Sequence, residues 1–354
     1  MTQPVRYVLI GDGDSPHLLK WARALAAQPG IELWAASSRG FAPGFDAVLA
    51  PERRLALATR PDAAGGNVAL LRHLPRLARW LRQVDASWIH AHYLTSHGTL
   101  AWLAQRLYGV RGRLVGSAWG SDILVTPLRS AMLRSVTRRV LRACALTTSD
   151  SQVMAERMRA LGAREVMVFP LGLEAMPPAP AAKEDGLFFA NRGLEPIYAP
   201  WRVLQVFDGL AWPGKTLVLA NDGSLLAALQ AAAPPQVRFV GRLDAATQAG
   251  WYARARWYVS LPASDSVSVS VLEAMAHGCV PIVSDLPANR ELVRDGDNGL
   301  ILADGALPAP GALRALLQRA DTAARANHDW VREHAMFAPC VQAFVARLRE
   351  LQSA

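Results

Sequence analysis

The stretch Ala263-Ser-Asp-Ser-Val-Ser-Val-Ser-Val-Leu-Glu-Ala-Met-Ala-His-Gly278 sets two acids, Asp265 and Glu273, on either side of a serine-rich approach to a helix. Ser270 is placed to act as the N-cap, Leu272, Met275 and Ala276 face a core, and Gly278 stands where a C′ residue closes a helix. Val280-Pro-Ile-Val283 then reads as a buried strand. The free N–H groups at such a helix start attract phosphate. The same residues fit a second reading: Ser270-Val-Leu-Glu273 matches a capping box, in which Glu273 bonds back to the Ser270 N–H.

Outward from this stretch, the second half alternates short β-rich runs with helices: Leu187-Phe-Phe-Ala190, Thr216-Leu-Val-Leu-Ala220, Val237-Arg-Phe-Val240, Trp257-Tyr-Val-Ser260 and Val280-Pro-Ile-Val283. That alternation implies a parallel sheet. The first half shows it too, in Val5-Arg-Tyr-Val-Leu-Ile10, Glu32-Leu-Trp-Ala-Ala36, Ala86-Ser-Trp-Ile-His-Ala-His92, the run from Arg113, Ala145-Leu-Thr-Thr-Ser149 and Val166-Met-Val-Phe169. Between the halves, Met176-Pro-Pro-Ala-Pro-Ala-Ala-Lys-Glu-Asp-Gly186 has a linker's prolines and small residues. The expected division is an α/β domain over 1–175, a linker over 176–186, a second α/β domain over 187–330 and a terminal helix over 331–354.

At 354 residues, 51% hydrophobic and 19% charged, the chain has material for two cores and is neither disordered nor fibrous. No apolar run approaches the ~18 residues of a membrane span, and no secretory apolar segment opens the chain, so a cytoplasmic protein is expected. Cys144, Cys279 and Cys340 make neither a disulfide framework nor a zinc pattern. The net charge of +9 is carried by arginine, the lysines being Lys20, Lys183 and Lys215. It implies affinity for phosphates or anionic lipid, and no nucleic-acid motif accompanies it. Leu70, Leu71, Leu74, Leu77, Leu81 and Val84 recur at helical spacing among Arg72, Arg76, Arg79 and Arg82, which predicts one basic amphipathic helix over 68–84. A second basic segment runs from Leu128 to Arg142. Both fit a core face with a solvated face, or contact with an anionic membrane surface.

In the first half, Gly11-Asp-Gly13 follows a strand, and Ser15 with Pro16 starts a helix. The third glycine of a dinucleotide fingerprint is replaced by Pro16, which argues against a Rossmann dehydrogenase. His90 and His92 share a strand face. With His97 they are conceivable as metal ligands, yet no carboxylate or cysteine joins them at ligand spacing, so no metal is expected. Asp122 follows Trp119-Gly120-Ser121 and fits either a helix cap or a cleft acid.

The run from Arg256 to Leu302 resembles the donor-site segment of the retaining GT-B glycosyltransferases of family 4. Leu272-Glu-Ala-Met-Ala-His-Gly278 and Asp295-Gly-Asp-Asn-Gly299 match that family's pattern, and Glu273 matches the second of its two spaced glutamates. The first is Asp265 here, one methylene shorter, and the usual Gly-Phe-Gly after it has become Ser266-Val267-Ser268. The resemblance implies the GT-B fold, two Rossmann-like domains with parallel sheets facing across a cleft. It implies that Glu273 binds the nucleotide's ribose, that backbone amides of Ser268, Val269, Ser270, Val271 and Leu272 hold the diphosphate, and that Asp265 lies near the transferred sugar. Arg192 matches the family's arginine at the leaving group, while the lysine that usually accompanies it is missing. Asn221 follows a strand at the ligand-binding edge, Gly241 and Arg242 fall where main chain meets the base, and Gly13 lies in the loop near phosphate and acceptor. Where many relatives have His-Gly, this chain has Trp119-Gly120, so His92, His97 or Asp122 is expected to substitute.

By that resemblance, the function is retaining, metal-independent transfer of a hexose or N-acetylhexosamine from a UDP-sugar or other nucleotide-diphosphate sugar to a hydroxyl of a glycan or lipid-linked acceptor. No cofactor is required, and the expected place is the cytoplasm or the inner face of the cell membrane, in surface polysaccharide or lipopolysaccharide synthesis. Two alternatives share the fold: a non-catalytic nucleotide-sugar-binding subunit of an assembly complex, and a GT-B epimerase acting on a UDP-sugar.

Overall fold

The computed structural model describes residues 4–59, 68–180 and 182–353. The chain divides into two compact units, one of Met1–Phe169 with Phe337–Ala354 and the other of Pro170–Met336.

The first unit is built on seven parallel strands: β1 (Val5–Gly11), β2 (Ile31–Ser37), β3 (Arg54–Ala56), β4 (Trp88–His92), β5 (Arg113–Ser117), β6 (Cys144–Ser149) and β7 (Val166–Val168). Their spatial order is β3-β2-β1-β4-β5-β6-β7. Tyr7, Val8, Leu9 and Ile10 of β1 are all buried, because helices cover both faces of a parallel sheet; this is why its strands read as unbroken apolar runs. The order reverses between β1 and β4, and loops leaving such a switch point diverge to leave a crevice.

The helix expected over 68–84 is two elements: a 3₁₀ turn over Val68–His73 and an α-helix over Leu74–Val84. Pro75 is the reason, since proline lacks an N–H and fits a helix's first turn but not its interior. Leu74, Leu77, Ala78, Leu81 and Val84 face the core, while Arg76, Arg79 and Arg82 are exposed. The second basic segment is likewise broken. A short helix, Thr126–Arg129, precedes Ala131–Ala143, and the Ser130 hydroxyl caps the latter by accepting from the Leu133 N–H at 3.1 Å.

The last helix, Phe337–Ser353, belongs to the first unit. Phe337 and Phe344 meet Trp21 edge to face at 5.1 and 5.3 Å, and the Arg347 guanidinium donates twice to the Glu165 carboxylate at 2.6 and 2.9 Å. The preceding helix, Ala320–His334, lies in the second unit. The continuous tail read from the sequence breaks because residues 335–336 pair with the 172–173 backbone, Leu173 N–H donating to Ala335 O at 2.8 Å.

The second unit has six parallel strands: β8 (Glu184–Ala190), β9 (Thr216–Ala220), β10 (Val237–Gly241), β11 (Ala255–Ser260), β12 (Val280–Ser284) and β13 (Leu300–Leu302), in the order β10-β9-β8-β11-β12-β13. Every residue of β11 and β12 is buried. The stretch 176–186, read as a linker, ends inside β8. Its charged Glu184 and Asp185 are held there by Arg254 at 2.7 Å, the last residue of the helix Ala245–Arg254, and by Arg256 of neighbouring β11 at 3.0 Å. The switch point of this sheet lies between β8 and β11. Among the described residues no helix is long and apolar enough to cross a membrane.

Candidate functional site

The serine-rich stretch leaves β11 at the switch point and enters the helix Val269–Ala276. Ser268, not Ser270, is its N-cap, with extended backbone (φ −76°, ψ 123°), and Ser270 lies inside the first turn. A capping box built on Ser270 is therefore not formed. The helix closes as its sequence indicates: Gly278 has φ +77°, its N–H donates to Met275 O at 2.9 Å, and the Cys279 N–H donates to Ala274 O at 2.8 Å. This is a Schellman motif.

Across the switch point, Asn191 and Arg192 follow β8. The Arg192 guanidinium donates to Asp265 Oδ2 at 2.7 Å, to Ser268 Oγ at 2.6 Å and, more distantly, to Ser270 Oγ at 3.5 Å. It lies over the Tyr198 ring at 4.4 Å. Burial lowers the tendency of Arg192 to hold its proton, but the Asp265 charge outweighs this and keeps it above its ordinary value. Burial likewise raises the Asp265 carboxyl, against the pull of Arg192 and of the Ser266 N–H. The result is a cation, two hydroxyls and a helix start in one place, which suits an anion.

Glu273 is held from behind. Its Oε2 accepts from the Tyr252 hydroxyl at 3.1 Å and from Gln248 Nε2 at 3.2 Å. A one-way chain of donors leads to it: Tyr258 OH to Asn191 Oδ1 at 2.7 Å, Asn191 Nδ2 to Tyr252 OH at 2.8 Å, then Tyr252 OH to the carboxylate. Burial pushes both phenols above their ordinary range, so they remain donors. Tyr252, Tyr258 and Gln248 escaped the sequence reading; the one signal was a tyrosine inside a buried strand, whose hydroxyl must find a partner.

Other expected residues fall at the same carboxyl edge. Asn221, after β9, has φ +87° and donates from Nδ2 to Asn191 O at 3.3 Å. Its N–H donates to the carbonyl of Gly241, the last residue of β10, at φ +68°, and Arg242 follows, exposed. Val269 is half-buried at the helix start, while Val271 and Leu272 are in the core.

In the first unit a cavity of about 260 Å³ opens at the ends of β1, β2, β4 and β5, lined by residues that include Asp12, Asp14, Arg39, His92, Tyr93 and Trp119. Gly13, between the lining residues Asp12 and Asp14, packs its backbone on the loop after β2: the Gly13 N–H donates to Ser37 Oγ at 2.8 Å, and a Cβ there would sit 2.5 Å from Gly40 O. Asp12 accepts from Ser38 Oγ and faces His97 Nε2 at 3.5 Å, contacts that hold its carboxyl below the usual range although burial opposes them. Tyr93 stands at φ +62°, its ring stacked on Trp119 at 5.8 Å and 11°. Trp119 Nε1 donates to His92 Nδ1 at 3.2 Å.

His90, on the same strand face as His92, spends both ring nitrogens inside the core, on Tyr7 OH at 2.8 Å and Ser117 Oγ at 2.6 Å. Burial brings it down to about 3. Asp122 is 1% exposed and accepts from the Leu94 and Trp119 N–H groups, both at 2.9 Å. It lies in the helix Ser121–Leu124 rather than capping it, and burial lifts its carboxyl to about 6 despite those two bonds. Among the described residues no group of three or more His, Cys, Asp or Glu is arranged to hold a metal ion.

Residues 7–151 match a family model described as glycosyl transferase 4-like, and residues 203–319 match one described as glycosyl transferases group 1. The phosphatidyl-myo-inositol mannosyltransferase of Mycobacterium tuberculosis is 27% identical over 304 residues, covering 76% of this chain and 78% of that protein. Among solved structures, the Anabaena protein HepE in complex with UDP-glucose superposes with a TM-score of 0.76 at 15% identity, over 98% of this chain and 99% of that one. Sucrose-phosphate synthase from Thermosynechococcus elongatus gives 0.78 at 15% identity, over 99% of each chain. With glycosyltransferase models matched in both units and this pair of parallel sheets, the chain belongs to the GT-B glycosyltransferases of family 4 type.

Proposed function

We propose that this glycosyltransferase moves a hexose or N-acetylhexosamine, with retention of anomeric configuration, from a nucleotide-diphosphate sugar to a hydroxyl of a lipid-linked glycan. The observation that carries the reading is the cluster at the carboxyl ends of β8 and β11: Arg192 bonded to Ser268 beside the start of the helix Val269–Ala276, with Glu273 held five residues further on. The diphosphate meets Arg192, the serine hydroxyls and the free N–H groups of that helix. Glu273, with Oε2 anchored by Tyr252 and Gln248, accepts from ribose hydroxyls. Gly241 and Arg242 meet the base, and Asp265 lies toward the sugar.

In the reaction the bond from the anomeric carbon to the diphosphate oxygen breaks as the acceptor hydroxyl approaches the same face. The acceptor oxygen bonds the anomeric carbon, and its proton passes to the departing diphosphate oxygen. The protein's part is to stabilise charge on the leaving group, which preorganised donors do well in a site shielded from water. Arg192 and the helix N–H groups supply that positive potential, so the reading calls for neither a metal nor a cofactor. Asp122 serves the fold by holding two backbone N–H groups, and Gly13 lets the loop after β1 approach its neighbour.

A lipid-linked acceptor is favoured by the named substrate of the mycobacterial relative and by the exposed arginines of the Leu74–Val84 and Ala131–Ala143 helices, beside exposed Leu128 and Met132. Basic residues with protruding apolar ones suit an anionic membrane face. The test is incubation with membranes and labelled UDP-, GDP- and dTDP-sugars. Label in the lipid phase from one donor supports the reading. Donor bound but not consumed would favour a binding subunit, and donor converted without transfer an epimerase.

A further inference from the structure

The His92 ring is 2% exposed and lines the first unit's cavity, yet its Nε2 has no hydrogen-bond partner among the described residues. Its other nitrogen settles which proton it carries. An indole N–H only donates, so Nδ1 of His92, at 3.2 Å from Trp119 Nε1, must be the lone-pair nitrogen. The neutral ring then carries its proton on Nε2. Burial and the neighbouring His90, His97 and His17 all hold His92 well below its ordinary value, so the doubly protonated ring does not compete. A buried N–H without a partner is costly, and such groups in native structures point to an absent ligand or water.

We propose that Trp119 is a positioning residue that fixes His92 as a hydrogen-bond donor through Nε2, directed at a hydroxyl oxygen of the acceptor. The inference rests on the glycosyl-transfer reading above for the word acceptor, but not for the tautomer. It assigns His92 a role opposite to that of a base: with its lone pair occupied by Trp119, His92 orients the attacking hydroxyl and takes no proton from it. A hydroxyl, rather than a phosphate, is favoured by the carboxylates of the same lining: Asp14 pairs with Arg39 at 3.1 Å, which leaves the Asp12 charge to repel an anion.

The test uses the full-length protein with ¹⁵N-labelled histidine. Long-range ¹H–¹⁵N correlation is expected to give His92 a pyridine-like Nδ1 and a pyrrole-like Nε2, and Trp119→Phe, which removes the indole N–H, to mix or reverse them. A wild-type spectrum with the proton on Nδ1, or an unchanged spectrum in Trp119→Phe, would overturn the proposal. Titration with myo-inositol, glucose and glycerol is expected to move the Nε2 signal in wild type with at least one of them, while UDP leaves it in place; the reverse pattern, or no shift, defeats the hydroxyl assignment. His92→Gln, whose amide N–H reaches the Nε2 position, should keep polyol affinity within about threefold, and His92→Asn should lose roughly tenfold, the scale of one hydrogen bond. Equal losses in both would reduce His92 to packing. None of these readings needs turnover, so a failure to transfer sugar and a failure of the tautomer assignment are told apart.

Discussion

The guanidinium of Arg192 and the carboxylate of Asp265 lie 2.7 Å apart, joined across 73 positions of sequence. The cation proposed to receive a diphosphate is thus already paired with a carboxylate, and no lysine follows it within its own loop. Under the proposed function, an incoming diphosphate would share Arg192 with Asp265 or displace it.

That competition can be measured. Arg192→Ala should weaken UDP or GDP binding by roughly 100-fold in calorimetry, the ~3 kcal/mol of charge-assisted bonds to one guanidinium. Asp265→Asn should tighten nucleoside-diphosphate binding by several-fold while slowing transfer. Weaker binding in Asp265→Asn would mean that the carboxylate aims Arg192 rather than occupying it.

Glu273→Gln should cost nucleotide affinity with little change in Tm, because the amide oxygen still accepts from Tyr252 while an amide nitrogen replaces the oxygen proposed to accept from ribose. Glu273→Ala should do both, removing nucleotide binding and leaving the Tyr252 hydroxyl, on a residue 1% exposed, short of its acceptor at about 1–3 kcal/mol. Intact binding in both variants would remove Glu273 from the site.

His90 makes the fold acid-sensitive. Its pKa is near 3 folded and about 6.5 unfolded, so the unfolded chain binds a proton that the folded chain refuses between those values. Stability from this group is complete above about 6.5 and is lost as pH falls, at up to ~1.4 kcal/mol per pH unit. Urea denaturation of His90→Gln should show a pH slope smaller by that amount between pH 6 and 4.

Asp122 has the opposite sign. Its carboxyl titrates near 6 folded and near 3.8 unfolded, so the folded state holds the extra proton and stability falls as pH rises through that window. Asp122→Asn keeps one acceptor for the Leu94 and Trp119 N–H groups. Its stability relative to wild type should improve between pH 4 and 6 by as much as ~3 kcal/mol, whatever its offset at pH 4. A flat difference would mean that the two N–H bonds outweigh burial.

Gly278→Ala should destabilise the second unit by about 1–2 kcal/mol or more. Alanine resists a φ of +77°, and its Cβ would sit 2.5 Å from Pro180 Cβ. A thermal transition unchanged from wild type would contradict the Schellman closure.

The parallel sheets were legible because strands covered on both faces carry continuous apolar runs, as in Val8-Leu9-Ile10 and Val280-Pro-Ile-Val283. The glycine end of the site helix was legible for a local reason, its positive φ. What escaped the sequence depends on partners far away in it. Three alternating serines made the N-cap ambiguous, and Ser268 prevails where the chain turns from β11. Glu184 and Asp185 look like linker residues until Arg254 and Arg256 pair with them. The anchoring of Glu273 by Tyr252, and the lock of Trp119 on His92, join residues that no periodicity connects. Pro75 was a local signal that the amphipathic pattern around it masked.

The return of Phe337–Ser353 to the first unit orders events during synthesis. Trp21 and His90, translated early, complete their aromatic packing only with Phe344, at 5.3 and 5.6 Å. Until the ribosome has made the whole of the second unit, the first lacks that wall, and its apolar face stays open to chaperones. The second unit, an uninterrupted run from Pro170 to Met336, has all its strands beforehand and is free to fold as it emerges. A chain stopped before Phe337 would therefore strand its older half unfinished while its younger half stood complete.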